Sequence, residues 1–313
     1  MLDRVEIMNY RCFAHVDVPL RPFTVLIGPN DTGKSSFLSA LRLLTTDGMN
    51  TGDVRRGARA ALVQALWRGQ AITAEVARGE SERRSGPVNE VFPTRLFSLP
   101  SAGVSMTSKG TPAGVPALDQ TGSNLAALVD YLLRKDRRRF DAFVAAMRAL
   151  VPGLEEINIE TPSPDTRQLE FVIDGGLRIP GDRASAGVKL LLFFVALAHH
   201  PELPKIVLIE EPANGLHPKR IADVVQLLRG LTTGALGGPP AQVIVTTHSP
   251  LLVDELDLEQ DQLLVFERQP DGARTARPVD RDRLRLFLDE FKLGEVWFNR
   301  DEEGLVAPAE PRP

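Results

Sequence analysis

An apolar stretch, residues 23–27, runs into Gly28-Pro29-Asn30-Asp31-Thr32-Gly33-Lys34-Ser35 and from there into a helix-patterned segment, residues 36–44. A Gly-x-x-x-x-Gly-Lys-Ser loop between a strand and a helix belongs to few folds. Its glycines let consecutive backbone N–H groups curl around a polyphosphate, and the helix that follows points its positive end at the same charge. Lys34 is placed to reach the β- and γ-phosphates, and the Ser35 hydroxyl to ligand Mg²⁺. The pattern predicts a nucleoside triphosphate site contacted by Gly28, Pro29, Asn30, Asp31, Thr32, Gly33, Lys34, Ser35 and Ser36.

At 313 residues, 43% hydrophobic and 25% charged, the chain has room for one large or two modest soluble domains. The single cysteine, Cys12, excludes an internal disulfide and fits a reducing compartment. Asp3, Arg4 and Glu6 interrupt any N-terminal signal pattern, and the longest apolar stretch, residues 188–198 with Lys189 inside it, is too short to span a bilayer. The expectation is a cytoplasmic protein with no membrane partner. A formal net charge of −4 argues against a globally basic nucleic-acid binder and leaves room for a local basic patch.

Residues 5–8 and 15–18 read as paired strands feeding the 23–27 strand. From about Asp47 to Asp119 the texture changes: strand patterns at 71–77 and 91–99 alternate with loop-like runs at 79–87 and 98–116. Residues 123–150 have helical spacing, with Leu125, Leu128, Val129, Leu132 and Leu133 recurring, until Pro152-Gly153 ends it. Two strands, 156–160 and 168–173, turn at Pro162-Ser163-Pro164-Asp165. From Ser185 onward helix and buried strand alternate, which implies a parallel sheet layered with helices. Residues 263–268 and 275–279 flank Pro270-Asp271-Gly272 as a late hairpin, and the tail after Asp301 reads as disordered. There is no internal repeat and no sustained heptad pattern, so no long coiled-coil arm is expected.

Lys205-Ile206-Val207-Leu208-Ile209-Glu210-Glu211-Pro212 is an apolar strand ending in two carboxylates, at the strand end where open α/β sheets bind ligands. Glu210 is placed to hold Mg²⁺ and Glu211 to polarise a water attacking the γ-phosphate; a surface acidic pair closing a strand is the plainer alternative. A further buried strand, 242–245, ends in Thr246-Thr247-His248-Ser249-Pro250. There His248 either hydrogen-bonds the γ-phosphate or the attacking water, or is structural.

Together these blocks resemble the ATP-binding-cassette ATPases, and more closely their RecF/SMC/OLD branch, the non-transporter AAA-type ATPases of bacterial repair and defence. Ile7-Met8-Asn9-Tyr10-Arg11-Cys12-Phe13 is similar to that branch's I-x-N-[FY]-R-x-F opening. Residues 210–218, Glu-Glu-Pro-Ala-Asn-Gly-Leu-His-Pro, are similar to its DEPExxLHP block, residues 247–250 to its THSP switch, and Gly294-Glu295-Val296-Trp297 to its GELW ending. Ser185, Ala186 and Gly187 stand at the cassette signature, as S-x-G rather than LSGGQ, although a serine capping a helix is also an ordinary structural device. Glu210 replaces the commoner Asp, and Ala213 a common Glu. Gln64, Gln70 and Gln120 are candidates for the glutamine that links the γ-phosphate to the helical lobe.

The resemblance implies an α/β fold: an ABC-ATPase head with a mixed or parallel core sheet layered by helices, an N-terminal antiparallel β lobe and a small helical lobe. It implies one ATPase domain over residues 1–300, followed by the tail 301–313. The β lobe, phosphate loop and variable insert occupy 1–118, the helical lobe and strands 119–180, and the signature, acidic strand and switch histidine 181–300. It implies ATP and Mg²⁺ as ligands, hydrolysis by Glu211 and His248, and a homodimer in which Ser185 and Gly187 of one copy face the phosphate loop of another.

What the chain acts on is less legible. Arg134-Lys135-Asp136-Arg137-Arg138-Arg139, on the predicted 123–150 helix, reads equally as a duplex-DNA face or as a solvated helix face. Arg55, Arg56 and Arg59 form a sparser cluster. Aromatics make up 6% of the chain and do not interleave these runs, so stacking on single strands is not indicated. The acidic stretch 254–261 suggests a metal nuclease, as in OLD-type relatives, but too little chain follows it; it reads as a capped, solvated helix end. A nuclease or toxin effector, if one exists, would then be a separate partner. Three readings stand: a DNA-associated ATPase switch, a nucleotide-gated protein switch without DNA, and a transporter ATPase subunit. The curtailed signature and the N-Y-R-x-F opening tell against the last.

Overall fold

The computed structural model describes residues 1–45, 48–86, 94–100, 102–110, 114–269, 272–288, 290–300 and 302–306. The chain divides into two compact units, Met1–Leu96 with Pro204–Glu210 and Gln242–Pro313, and Phe97–Leu203 with Glu211–Ala241.

In chain order the first part holds β1 (Leu2–Met8), β2 (His15–Pro19), β3 (Phe23–Ile27), α1 (Lys34–Leu43), β4 (Ala60–Trp67), β5 (Gln70–Ala77), β6 (Arg83–Ser85) and β7 (Thr94–Ser98). The middle holds β8 (Thr107–Lys109), α2 (Leu125–Lys135), α3 (Arg137–Leu150), β9 (Leu154–Ser163), β10 (Thr166–Ile173), β11 (Leu177–Pro180) and α4 (Ala186–Ala198). Then follow β12 (Ile206–Glu210), α5 (Ile221–Thr233), β13 (Gln242–Thr246), α6 (Pro250–Val253), β14 (Gln262–Arg268), β15 (Arg274–Pro278), α7 (Arg281–Leu288) and α8 (Leu293–Arg300).

The first unit has two sheets. One is antiparallel, in the order β2-β1-β4-β5-β6, and matches the expected β lobe. Its strand β4 was hidden in the sequence because Ala60 to Trp67 is apolar at almost every position, and without alternation no face can be assigned. In the fold it does alternate, with Ala61, Val63, Ala65 and Trp67 turned inward. The other sheet runs β15-β14-β3-β13-β12, with β7 at the far edge. Here β14, β3, β13 and β12 are parallel and β15 returns antiparallel, so the core sheet is mixed. Every residue of β3 and β13 is buried, as central parallel strands require.

A single side chain stitches the two sheets together. Gln242, fully buried, accepts from Leu2 N at 2.8 Å and donates to Leu2 O at 2.9 Å and Arg21 O at 3.2 Å. Around it Val5, Ile7, Phe37, Leu41, Leu208 and Ile244 belong to one continuous core.

In the second unit β10 is the centre of a sheet, paired with β9 on one side and with β11 and β8 on the other. The single helix expected over 123–150 is two helices. Asp136 breaks it with φ −141° and ψ 70°, and its carboxylate caps α3 by accepting from Arg139 N at 3.2 Å. The basic run therefore shares no helix: Arg134 and Lys135 end α2, and Arg137 to Arg139 open α3.

The acidic stretch 254–261 is not a solvated helix end. Helix α6 stops at Val253, and the residues beyond form a turn in which Asp261, 1% exposed, accepts from Asp257 N at 2.9 Å. Arg21 Nη1 closes the turn on the carbonyls of Leu258, Glu259 and Asp261. No group of carboxylates, histidines or cysteines able to hold a metal occurs among the described residues.

No helix among the described residues is long and apolar enough to cross a membrane. The strand expected at 91–99 is β7. The tail expected to be disordered over 301–313 starts ordered: Glu302–Gly304 form a 3-10 turn, and Leu305 and Val306 are buried. Residues 91–93, Pro270, Asp271, Asp301 and 307–313 lie outside the described residues.

Candidate nucleotide-binding site

Strand register builds the site. Glu210, Thr246, Leu26 and Leu264 lie side by side across four adjacent parallel strands of the first unit. Two residues past Leu26 comes Gly28, and two past Thr246 comes His248. With strands about 4.8 Å apart, the phosphate loop, Glu210 and His248 leave the sheet at one carboxyl edge, where α/β folds place their ligands.

The loop's conformation explains its glycines. Gly28 has φ +137°, and a Cβ there would lie 2.1 Å from the Phe266 carbonyl oxygen. Gly33 is the N-cap of α1 with φ +102°, and its Cβ would meet Phe13 Cζ at 2.7 Å and Cys12 Sγ at 2.9 Å. Only glycine satisfies both the dihedral and the contact at these positions. Helix α1 begins with no side-chain cap and no acidic residue in its first turn, so its first N–H groups and positive end are left for an anion. Lys34, 7% exposed, holds its ammonium over the loop by donating to Gly28 O at 2.7 Å and Pro29 O at 2.9 Å. Thr32 Oγ1 donates to Pro29 O at 2.8 Å, and Ser35 is exposed at the helix start. This cradle, with a lysine inside it, a hydroxyl at its mouth and the Glu210 carboxylate on the same edge, fits a polyphosphate with its divalent cation.

Sequence reasoning missed one residue that holds the loop. Arg274 on β15 donates through Nη2 to Asp31 Oδ2 at 2.7 Å and through Nε to Asp31 O at 3.1 Å. Asp31 carries φ +62°, and this clamp holds the loop apex in that left-handed turn. Nothing in the sequence marks an arginine 243 positions away as its partner.

The opening motif supplies the loop's floor. Asn9 and Arg11 have φ of +51° and +47°, a tight reversal closed by Asn9 N donating to Ala14 O at 2.9 Å and Phe13 N to Tyr10 O at 2.8 Å. Arg11 pairs with Asp53 at 2.9 Å. The reversal turns Phe13 beneath Gly33, fully buried and 6.2 Å from the Phe266 ring, which in turn meets Phe37 of α1 edge-on at 5.4 Å.

Glu211, where the chain re-enters the second unit, has φ +49°, unusual for a side chain of its size. Such strain costs about 1–3 kcal/mol and gathers at functional sites. Thr247 N donates to Leu26 O at 3.0 Å and Thr247 Oγ1 accepts from Ser249 N at 3.0 Å, fixing the backbone on either side of the exposed His248. His217 caps the turn leading into α5 by accepting from Lys219 N at 3.3 Å, with Pro218 at the first position. Gly294 lets α8 approach α6, since a Cβ would lie 2.1 Å from Pro250 O, and its N–H donates to Asp254 Oδ1 at 2.7 Å.

Ser185, Ala186 and Gly187 belong to the second unit, at the start of α4, where Ser185 Oγ accepts from Val188 N at 3.3 Å. Gln64 is half-buried in β4, Gln70 opens β5 exposed, and the Gln120 carbonyl accepts from Ser98 N at 2.9 Å; nothing selects among the three. Of the basic run, Arg134 pairs with Asp130, Arg137 with Asp141 at 2.9 Å and Arg139 with Asp136 at 3.0 Å.

A family profile described as "AAA ATPase domain" matches residues 1–76, and one described as "AAA domain, putative AbiEii toxin, Type IV TA system" matches residues 106–254. Over 47 residues, 15% of this chain, the sequence is 43% identical to an OLD nuclease of Thermus scotoductus, a match that spans 9% of that protein. These matches are to AAA-type ATPase domains and support an ATPase of the RecF/SMC/OLD kind. The fold of the chain is that of an SMC head. This ATPase domain is similar to the SMC head bound to the C-winged-helix domain of ScpA, with TM-score 0.65, 13% identity, and coverage of 91% of this chain and 99% of that one. It is also similar to the SMC head domain of Thermotoga maritima, with TM-score 0.57, 14% identity, and coverage of 89% and 99%. An Smc head with an extended coiled coil bound to the C-terminal domain of ScpA, derived from Pyrococcus furiosus, gives TM-score 0.61 and 12% identity over 92% and 98%.

Proposed function

We propose that this domain binds ATP with Mg²⁺, hydrolyses it, and works as a switch that dimerises head to tail around the nucleotide. The observation that carries the proposal is the common edge of the phosphate loop, Glu210 and His248, with the strained Glu211 next in the chain. In this reading the loop amides and Lys34 bind the β- and γ-phosphates. Ser35 and Glu210 hold Mg²⁺, which when bound offsets the charge of the phosphate oxygens. Glu211 takes a proton from a water whose oxygen attacks the γ-phosphorus; the bond to the β–γ bridging oxygen breaks, and ADP and phosphate leave. His248 hydrogen-bonds the γ-phosphate. Ser185, Ala186 and Gly187 of a second copy bring the positive end of α4 to the same phosphate, so that ATP joins two heads and hydrolysis parts them.

A cytoplasmic protein with an effector partner, such as a nuclease or toxin, in repair or anti-phage defence completes this reading. Arg134, Lys135, Arg137, Arg138 and Arg139 are its candidate duplex contacts. The pairing of three of these with neighbouring carboxylates favours a second reading, in which the ATP-bound dimer grips a protein and not DNA. One solved SMC head does carry a ScpA domain.

Steady-state Mg²⁺-ATP hydrolysis at low salt, with and without linear duplex, tests both readings, with Glu211→Gln as the blank. Turnover lost in Glu211→Gln together with an ATP-dependent dimer in sedimentation supports the switch; equal turnover in the two proteins refutes it. Stimulation by duplex that fades as salt rises favours the DNA reading, and indifference to duplex favours the protein reading.

A further inference from the structure

In the second unit a cavity of about 600 Å³ opens between the start of α3, the end of α4 and the turn after α5, lined chiefly by Asp136, Arg138, Arg139, His199, Leu236 and Gly237. None of these residues has a part in the nucleotide site. His199 ends α4 and is 8% exposed, yet its imidazole makes no hydrogen bond or ion pair among the described residues. Its ring nitrogens are not sealed away from the cavity it lines, so they stay open to a molecule bound there.

The charges around it are unbalanced. Asp136 is already committed, accepting from Arg139 N at 3.2 Å and pairing with Arg139 Nε at 3.0 Å. Arg139 spends one further donor, Nη2, on Gly237 O at 3.1 Å, which leaves most of its N–H groups for another acceptor. Arg138 is exposed and has no carboxylate partner among the described residues. Two guanidiniums thus face one carboxylate at the positive end of α3, a helix of 14 residues.

We propose that this cavity is a phosphate-binding site, in which Arg138, Arg139 and His199 hold one phosphate group. Arginine forks match phosphate oxygens in geometry and charge, and the imidazole N–H supplies a further donor at the cavity wall. Burial, and then the Arg139 charge, hold the His199 imidazole below its ordinary value, so without a ligand it is neutral at pH 7. The other titratable groups lining the cavity are Arg138, Arg139 and Asp136; the turn and the end of α4 add none. A phosphate brings negative charge to the imidazole and raises its pKa. Binding therefore takes up a proton, and affinity rises as the pH falls through the bound-state value.

The test uses the full chain. The His199 imidazole proton resonance, identified among five histidines by its loss in His199→Gln, is followed by NMR while inorganic phosphate is titrated at constant ionic strength. The expected result is a saturable shift, with the His199 titration midpoint raised by about half a pH unit or more. In Arg138→Gln, a surface change that leaves folding intact, the apparent affinity falls about three- to tenfold. A response no larger than that to chloride, or one unchanged in Arg138→Gln, overturns the site. A second titration with a short duplex identifies the phosphate's source. Saturation far below the inorganic-phosphate concentration assigns it to a nucleic-acid backbone, and a response to inorganic phosphate alone assigns it to a free phosphate. None of these readouts depends on turnover, so loss of the ATPase reading leaves the test intact.

Discussion

Replacing Gly33 with alanine adds one methyl group at the position where the phosphate loop and the N-terminal motif meet. Two separate effects follow. The backbone there sits at φ +102°, which costs a side-chain-bearing residue about 1–3 kcal/mol. The new Cβ also lies 2.7 Å from Phe13 Cζ, 2.8 Å from Cε1 and 2.9 Å from Cys12 Sγ. The Phe13 ring cannot swing aside, because it is fully buried against Phe266, so overpacking adds about 1–3 kcal/mol more. The loop is the softer partner and moves, so the penalty falls on the conformation that receives phosphate. Even the lower sum, about 2 kcal/mol, weakens ATP binding about 30-fold. Calorimetric titration of Mg²⁺-ATP, with the melting temperature recorded alongside, measures this. Phe13→Leu separates the two effects, since a shorter side chain relieves the contact and leaves the dihedral strained; the double-mutant cycle should show about 1–2 kcal/mol of favourable coupling. A dissociation constant within about threefold of wild type in Gly33→Ala, at unchanged melting temperature, would mean that neither the floor nor the dihedral shapes the loop.

Arg274→Ala should raise the dissociation constant for ATP by no more than about tenfold, since Asp31 is 87% exposed and the ion pair is screened; the loss should shrink further in high salt. Gln242→Leu orphans the buried Leu2 N–H and C=O and should lower stability by about 2–4 kcal/mol, read as an earlier denaturant midpoint at unchanged slope. Ser185→Arg should leave ATP binding by the monomer intact while abolishing hydrolysis and the ATP-dependent dimer; wild-type turnover in that variant would remove α4 from the catalytic assembly.

The parts of the site that were legible in the sequence are those that local chemistry dictates. A loop with glycines at two fixed positions before Lys34, and an apolar strand ending in Glu210 and Glu211, carry their own geometry, because positive-φ turns and buried parallel strands each demand particular residue types. The break at Asp136 was also present, as a helix-capping residue inside a basic run, but apolar helical spacing continued on both sides, through leucines before it and Phe140, Phe143, Val144 and Met147 after it, and masked it. The strand β4 was illegible for the opposite reason: an evenly apolar octet gives no period. Contacts that join distant segments left no trace at all. Arg274 on Asp31, Gln242 on Leu2 and Arg21 on the 258–261 turn are single polar side chains chosen by three-dimensional proximity, and any surface arginine or glutamine looks the same in the sequence.

One consequence concerns why the opening motif and the phosphate loop occur together. Phe13 is not a ligand candidate: it is buried beneath the loop, and the left-handed residues Asn9 and Arg11 bring it there. Its ring packs on Phe266, whose carbonyl oxygen faces Gly28, while Phe37 on α1 meets the same ring edge-on. The two glycines of the loop thus lie against one aromatic layer assembled from the chain's first turn, its phosphate-loop helix and strand β14. A loop that must curl its N–H groups toward a ligand cannot be held by its own backbone hydrogen bonds, because those donors are needed elsewhere. Apolar support from below and the Arg274 clamp at the apex supply that rigidity without using the donors. On this argument the I-x-N-[FY]-R-x-F opening, which touches no phosphate, is as necessary to nucleotide binding as Lys34.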